Sequence, residues 1–447
     1  MKVLVVGEAP FIPSSFGKVT HYIVSGLVER GHKVVVAAKY GSVTMFSYGM
    51  HYSPSASCRD PSSERIKGFS DLCRPDLVGE WEVFTVEWPS NIRVFLETVF
   101  DADVILAYGT PYAPPLAEFL RDAYESRIDV PIAGYFVSES LVLPKAYGLH
   151  VGNSTVFASP SKFIRGTFIR SLSKWGIPEE GIRGRSSVVY HGVDLNVYNE
   201  GTRKYFREHH PLLEGVVGEG EFIVGTFAKN HVRKDLSALV FAYASLPNEL
   251  RERSRLLVSL IKGCGGDDVW KLDLIVEAAE HYGGVNNLGD RVIDASDHVF
   301  GGFTEWQVLR VYSAMDLFVF PTRGEAFGLP PLEAGLLGIP PIVTAHPVML
   351  ELWGGALPEE FFVLGHEFVT GEGLVLYAPD IMDLRRALIA GMKSEKLRER
   401  AVEGIKERVK ELKLSREGMV DGIEELLKRA RDIGPSFISD LGGEHRA

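Results

Sequence analysis

Short apolar runs without polar alternation recur along this chain, and most are separated by helical stretches. The first, KVLVV (2–6), is continuous and β-branched, the pattern of a strand buried on both faces. KVTHYIVSGLVERG (18–31) then places Val19, Ile23, Leu27 and Val28 on one helical stripe, with Gly31 after it as a stop. KVVVAA (33–38) is a second buried strand, so the chain opens β-loop-α-β. DVILAY (103–108), PIAGYFV (131–137), TVFAS (155–159) and SVVY (187–190) continue the series. Strands alternating with helices predict a parallel sheet covered on both sides.

After HGVDLNVYNE (191–200) comes a polar stretch, and then the pattern restarts. FIVGTFA (222–228), RLLVSLI (255–261), DLFVFP (316–321), PPIVTA (340–345) and GLVLYA (373–378) read as strands. Helical segments separate most of them, including 234–246 and 268–282. At 447 residues the chain is too long for one core. The reading is two doubly wound α/β units, 1–200 and 220–393, followed by one or two amphipathic helices in 394–447. Residues 41–82 break the rhythm, and they are either a functional excursion or hold structure without a readable period.

A net charge of −11 argues against nucleic acid as the main partner, because phosphate binding needs a basic surface. No run approaches the roughly 20 apolar residues that cross a bilayer. MKVLVVGEAP meets Gly7 and Glu8 before a signal-peptide core forms. Cys58, Cys73 and Cys264 fit a reducing compartment, with a Cys58–Cys73 disulfide as the alternative. A cytoplasmic location is therefore expected. No cluster has metal-ligand spacing, and the adjacent His209–His210 reads as surface.

The chemistry concentrates in PTRGEAFGLPPLEAGLLGIPPIVT (321–344). DLFVFP is a strand, and PPLEAGLLGI reads as a helix beginning at Pro330 or Pro331, where a missing N–H costs nothing. The loop between them lies where open α/β sheets bind ligands, and free N–H groups with the helix dipole favour an anion. Glu325 in the loop and Glu333 in the first helical turns would reach one ligand from two sides. Carboxylates accept hydrogen bonds from hydroxyls, so a nucleotide sugar fits. By spacing alone, two dipole-favoured glutamates of an ordinary helix start fit as well.

The surrounding letters carry more. E-A-F-G-L-P-P-L-E-A followed by G-I-P-P-I-V-T resembles the E-x7-E signature of family-4 (GT4) retaining glycosyltransferases of the GT-B fold. EWQVLRVYSAMDLFVFP (305–321), HGVDLNVY (191–198), FAKNHVRKDLSAL (227–239) and GEGLVLYAPDIMDLRRAL (371–388) resemble further blocks of that family. The resemblance implies two Rossmann-like domains facing across a cleft, with the last helices packing back on the first. It implies an enzyme that moves a hexosyl unit from a nucleotide-diphosphate sugar to a sugar, glycan or lipid-linked acceptor. No cofactor and no metal are expected.

Carried over by residue, Glu333 would accept ribose hydroxyls, and Glu325 would hold the transferred sugar beside Ala326, Phe327, Gly328 and Leu329. Lys234 matches the phosphate-binding lysine, and Lys229 stands where the family more often has arginine. PSSFGKVT (13–20) offers Gly17, with Lys18 beside it, where paired glycines are usual. YFVSES (135–140) has Ser138 and Glu139 in place of a histidine, making Glu139 the candidate contact at the reaction centre. Phe46, Tyr48 and Tyr52 are candidate acceptor contacts.

Three alternatives stay open. One is a GT-B disaccharide synthase or phosphorylase, and another is a non-catalytic nucleotide-sugar-binding protein. The third is an enzyme at the inner face of the membrane, because SKFIRGTFIRSLSKWG (161–176) mixes basic and aromatic residues as interfacial helices do. A helix packed on its own sheet would carry the same pattern.

Overall fold

The computed structural model describes residues 1–10, 14–40, 82–85, 96–97, 100–208, 220–261, 269–296 and 305–442. Most of the 41–82 excursion, with Phe46, Tyr48, Tyr52, Cys58 and Cys73, lies outside them, as do Cys264 and His209–His210. The chain divides into two compact units. One is Met1–Gly192 with Gly371–Leu374 and Ser415–Ala447, and the other is Val193–Thr370 with Val375–Leu414.

The first unit holds seven strands: β1 (Lys2–Glu8), β2 (Lys33–Tyr40), β3 (Glu82–Thr85), β4 (Val104–Gly109), β5 (Ile132–Phe136), β6 (Val156–Ser159) and β7 (Ser186–Val188). They pair in parallel in the order β3-β2-β1-β4-β5-β6-β7. β3 falls outside the predicted strands, since four residues are too few for a period to register. The first helix spans Ser15–Glu29 and starts ahead of the predicted stripe, because the Ser14 hydroxyl accepts the Gly17 N–H and caps it.

Helix Lys162–Ser173 carries the mixed basic and aromatic pattern. Phe168 is fully buried, meeting the rings of Phe136 and Phe157 edge-on at 6.4 and 6.0 Å. Its apolar stripe is covered by its own sheet. No helix among the described residues is long and apolar enough to cross a membrane.

The second unit holds β8 (Phe222–Lys229), β9 (Ser254–Ile261), β10 (Val292–Asp294), β11 (Leu317–Phe320), β12 (Pro341–Thr344) and β13 (Phe362–Val363). These are parallel, in the order β10-β9-β8-β11-β12-β13. β14 (Gly365–Val369) and β15 (Val375–Pro379) form a separate antiparallel hairpin. GLVLYA therefore supplies a hairpin strand and not a member of the parallel sheet. Its partner GHEFV is largely exposed, which is why the apolar pattern does not announce it.

The unit boundary falls at 192/193, before the polar stretch. Helix Glu200–Glu208 is held to the second unit by Arg207, which pairs with Asp316 at 2.8 Å, and by Arg203, which donates to the Met315 carbonyl at 2.7 Å. The two last long helices part company. Glu395–Leu412 belongs to the second unit, and Arg416–Ile433 to the first. The former touches Gly335 so closely that a Cβ there would lie 2.4 Å from Ile405. The latter is clamped to the first helix by Arg30, which reaches Asp421 at 2.6 Å and Glu424 at 2.9 Å.

Candidate active site

In the second sheet the strand order reverses between β8 and β11, which pair directly. Chains leaving those two strands move to opposite faces and open a crevice at the carboxyl edge. The loop after β8 and the loop after β11 are thus brought side by side by topology, although some ninety residues separate them in sequence. Asn230 opens the first loop. It is buried, its amide donates to the Trp270 carbonyl at 3.0 Å, and its Oδ1 accepts the Trp270 N–H at 2.9 Å. A 3-10 turn, Val232–Lys234, follows, capped by His231 Nδ1. Asp235 then adopts a left-handed conformation (φ 42°) and caps the helix Leu236–Ala244.

From the second loop, Glu325 meets this turn. Its Oε1 accepts from Arg233 at 2.5 Å, from Thr322 Oγ1 at 2.9 Å and from Lys234 Nζ. Burial alone would raise the Glu325 carboxyl, but the charges of Arg233 and Lys234 and the hydrogen bonds hold it down to about 2. Lys234 itself is buried, with its ammonium 4.6 Å from the centre of the Phe320 ring. Arg323 locks the two loops together. Its N–H donates to the Arg233 carbonyl at 2.7 Å, its guanidinium pairs with Asp235 at 2.7 Å, and its carbonyl accepts from Tyr377 at 2.7 Å. Three cations therefore face two carboxylates in one corner of the unit, a surplus that suits an anionic ligand.

Glu333 lies on the helix Leu329–Leu336 and is buried, accepting from the Tyr312 hydroxyl at 3.0 Å. Burial and then Glu333 push the Tyr312 hydroxyl well above its usual range, so it stays a donor. Phe327 is buried, and Ala326 is half-buried. Gly328 begins the helix at φ 88°, where a Cβ would come within 2.7 Å of Met349 Cε. Leu329 keeps its N–H, whereas Pro330 and Pro331 have none. The anion attraction expected from free N–H groups at this helix start is accordingly thinned. Gly328→Ala is expected to cost about 1–2 kcal/mol from the left-handed backbone alone. The thermal midpoint of the purified variant checks this, and an unchanged midpoint would refute it.

Lys229 ends β8, is exposed, and forms no ion pair among the described residues. Arg233, Thr322, Arg323, Asp235 and Tyr312 are the residues that sequence reading missed. Arg233 stood in plain view beside Lys234, but only the closed turn shows both aiming at one oxygen. Gly17, Lys18 and Glu139 belong to the first unit. The Gly17 N–H is committed to Ser14 Oγ at 2.9 Å, and Ser14 Oγ donates in turn to Glu8 at 2.5 Å. Glu139 is half-buried between the fully buried Ser138 and Ser140, and Ser138 Oγ lies 2.8 Å from the Tyr112 hydroxyl. His191 was also passed over. It is buried, 2.6 Å from the Tyr135 hydroxyl, and burial lowers it to about 3, so it is neutral at physiological pH. Among the described residues no group of three or more His, Cys, Asp or Glu could hold a metal ion.

Residues 293–408 match the family described as glycosyl transferases group 1. The matched stretch contains Glu325, Gly328 and Glu333 and leaves Lys229, Arg233 and Lys234 outside it. The chain is 32% identical over 159 residues to the serotype-specific mannosyltransferase WbdA of Escherichia coli, covering 35% of this chain and 17% of that protein. It is 32% identical over 124 residues to the O-antigen chain mannosyltransferase B of the same species, covering 28% and 29%. The chain thus spans well under half the length of these relatives. HepE of Anabaena, solved in complex with UDP, superposes with a TM-score of 0.61 at 17% identity over 96% of this chain and 100% of that one. The fold is α/β of the GT-B type, built from two doubly wound Rossmann-like units.

Proposed function

We propose that this chain is a retaining glycosyltransferase that moves a hexosyl unit from a nucleoside-diphosphate sugar to a hydroxyl acceptor. One observation carries the reading: two buried carboxylates, Glu325 and Glu333, flank the Gly328 helix start at the sheet's reversal point, and the first is seated on two cations. Glu333 is assigned to the ribose hydroxyls and Glu325 to hydroxyls of the transferred sugar, with Ala326, Phe327, Gly328 and Leu329 lining its path. Lys234 is assigned to the diphosphate. Gly17, Lys18 and Glu139 remain assigned to the diphosphate and acceptor side. The names of the matched relatives support mannose as the first sugar to test.

In the transfer, the acceptor oxygen bonds to the anomeric carbon on the face from which the diphosphate departs. The anomeric C–O bond breaks, and the hydroxyl proton passes to a phosphate oxygen. The protein supplies position and positive charge and no nucleophile. With cations holding the leaving group, the reaction is proposed to need no metal. A sugar, glycan or lipid-linked hydroxyl is the acceptor class. Ser138 and Glu139, standing where the resemblance implies a histidine, favour the second reading of a non-catalytic sugar-nucleotide binder.

The test is thermal melting against UDP-, GDP- and ADP-sugars, followed by product analysis with and without EDTA. A ligand at about 100 times its dissociation constant adds roughly 2.7 kcal/mol, which moves the midpoint by several degrees. A shift with one base and product formation in EDTA is the expected result. No shift with any donor would sink the donor reading, and a shift without product in any acceptor pool would favour the binder.

A further inference from the structure

We propose that Arg233, and not Lys229, is the second cation that holds the donor's diphosphate beside Lys234, and that Glu325 competes with the diphosphate for both. The proposal rests on the donor reading above. Arg233 and Lys234 are consecutive on the 3-10 turn, and Arg323 N–H closes that turn onto the second loop at 2.7 Å. Both cations consequently converge on Glu325 Oε1, and Arg233 also donates to the Gly324 carbonyl at 3.2 Å. Lys229 lies back on the strand end, exposed to solvent. A guanidinium is a planar fork that matches a phosphate's oxygens, a geometry that lysine lacks.

Phosphate oxygens need the same N–H donors that Glu325 now occupies. A nucleoside diphosphate alone must draw Arg233 and Lys234 away from a buried carboxylate and leave it poorly satisfied. An intact sugar donor brings hydroxyls that give Glu325 new hydrogen bonds in exchange. Glu325 thereby becomes a selector for the loaded donor over the spent diphosphate, which favours release of product after transfer.

Calorimetric titration tests this with the nucleoside diphosphate of the base found above and the bare nucleoside, at fixed ionic strength. Arg233→Gln is expected to weaken the diphosphate at least tenfold and leave the nucleoside unchanged, while Lys229→Ala stays within threefold. Glu325→Gln is expected to bind the diphosphate at least threefold more tightly. Circular dichroism at the titration temperature confirms that each variant is folded. A larger loss in Lys229→Ala than in Arg233→Gln, or a weaker diphosphate in Glu325→Gln, overturns the proposal alone. Wild-type protein that binds no diphosphate overturns the donor reading and this proposal with it.

Discussion

Glu325→Ala is expected to lower stability at neutral pH by about 3 kcal/mol, with a loss that fades in acid. Its carboxyl titrates near 2 in the folded chain against an ordinary value of 4.5, and that gap corresponds to ~3 kcal/mol. The sign follows from the depressed value. The stabilisation is complete above the unfolded value of 4.5, declines as pH falls, and is gone once pH passes below about 2. Removing one partner of a buried ion pair leads independently to about 3–5 kcal/mol, since Lys234 and Arg233 lose their carboxylate. Urea unfolding of wild type and variant across pH 2–7 is the measurement. A gap between them that stays constant with pH would mean that Glu325 is not held by the cations. Transfer is expected to fall mainly in kcat, because this carboxylate is assigned to the sugar that changes in the transition state.

Glu333→Ala is expected to behave differently. Its proposed partners are ribose hydroxyls, which are remote from the bond that breaks, so the loss should appear chiefly in KM for the donor. Two hydrogen bonds to a charged group at about 1.5–3 kcal/mol each predict a fall in kcat/KM on the order of a hundredfold or more. The Tyr312 hydroxyl, which now donates to Glu333 at 3.0 Å, loses its acceptor as well, so some stability goes too. Steady-state kinetics with varied donor separate the cases. A variant with unchanged KM and reduced kcat would reverse the assignment of the two glutamates.

How much of this was legible beforehand differs by element. β1, β2, β8 and β9 were readable because strands buried on both faces read as near-continuous apolar runs. β10, β13 and β14 were not, being two to five residues long, with β10 and β14 partly exposed as well. Glu325, Glu333 and Lys234 were named from local letters. Arg233 has no such signal, because the resemblance places the second cation five residues before Lys234, at Lys229. The sorting of the last two long helices between the units had no local signal, as both are amphipathic and similar in charge.

What the amino-acid order determined by itself is the alternation of buried strands and helices, hence the two α/β units, and the placing of a glycine and two prolines between Glu325 and Glu333. These are local properties, set by side-chain period and by what each backbone position tolerates. What only the tertiary structure decided is which cation meets which carboxylate. Parallel β8 and β11 lie side by side because of the sheet's order, and that order carries the turn at 232–234 onto the loop at 322–325. Contact between residues so far apart in sequence depends on strand pairing, and no window of sequence contains it.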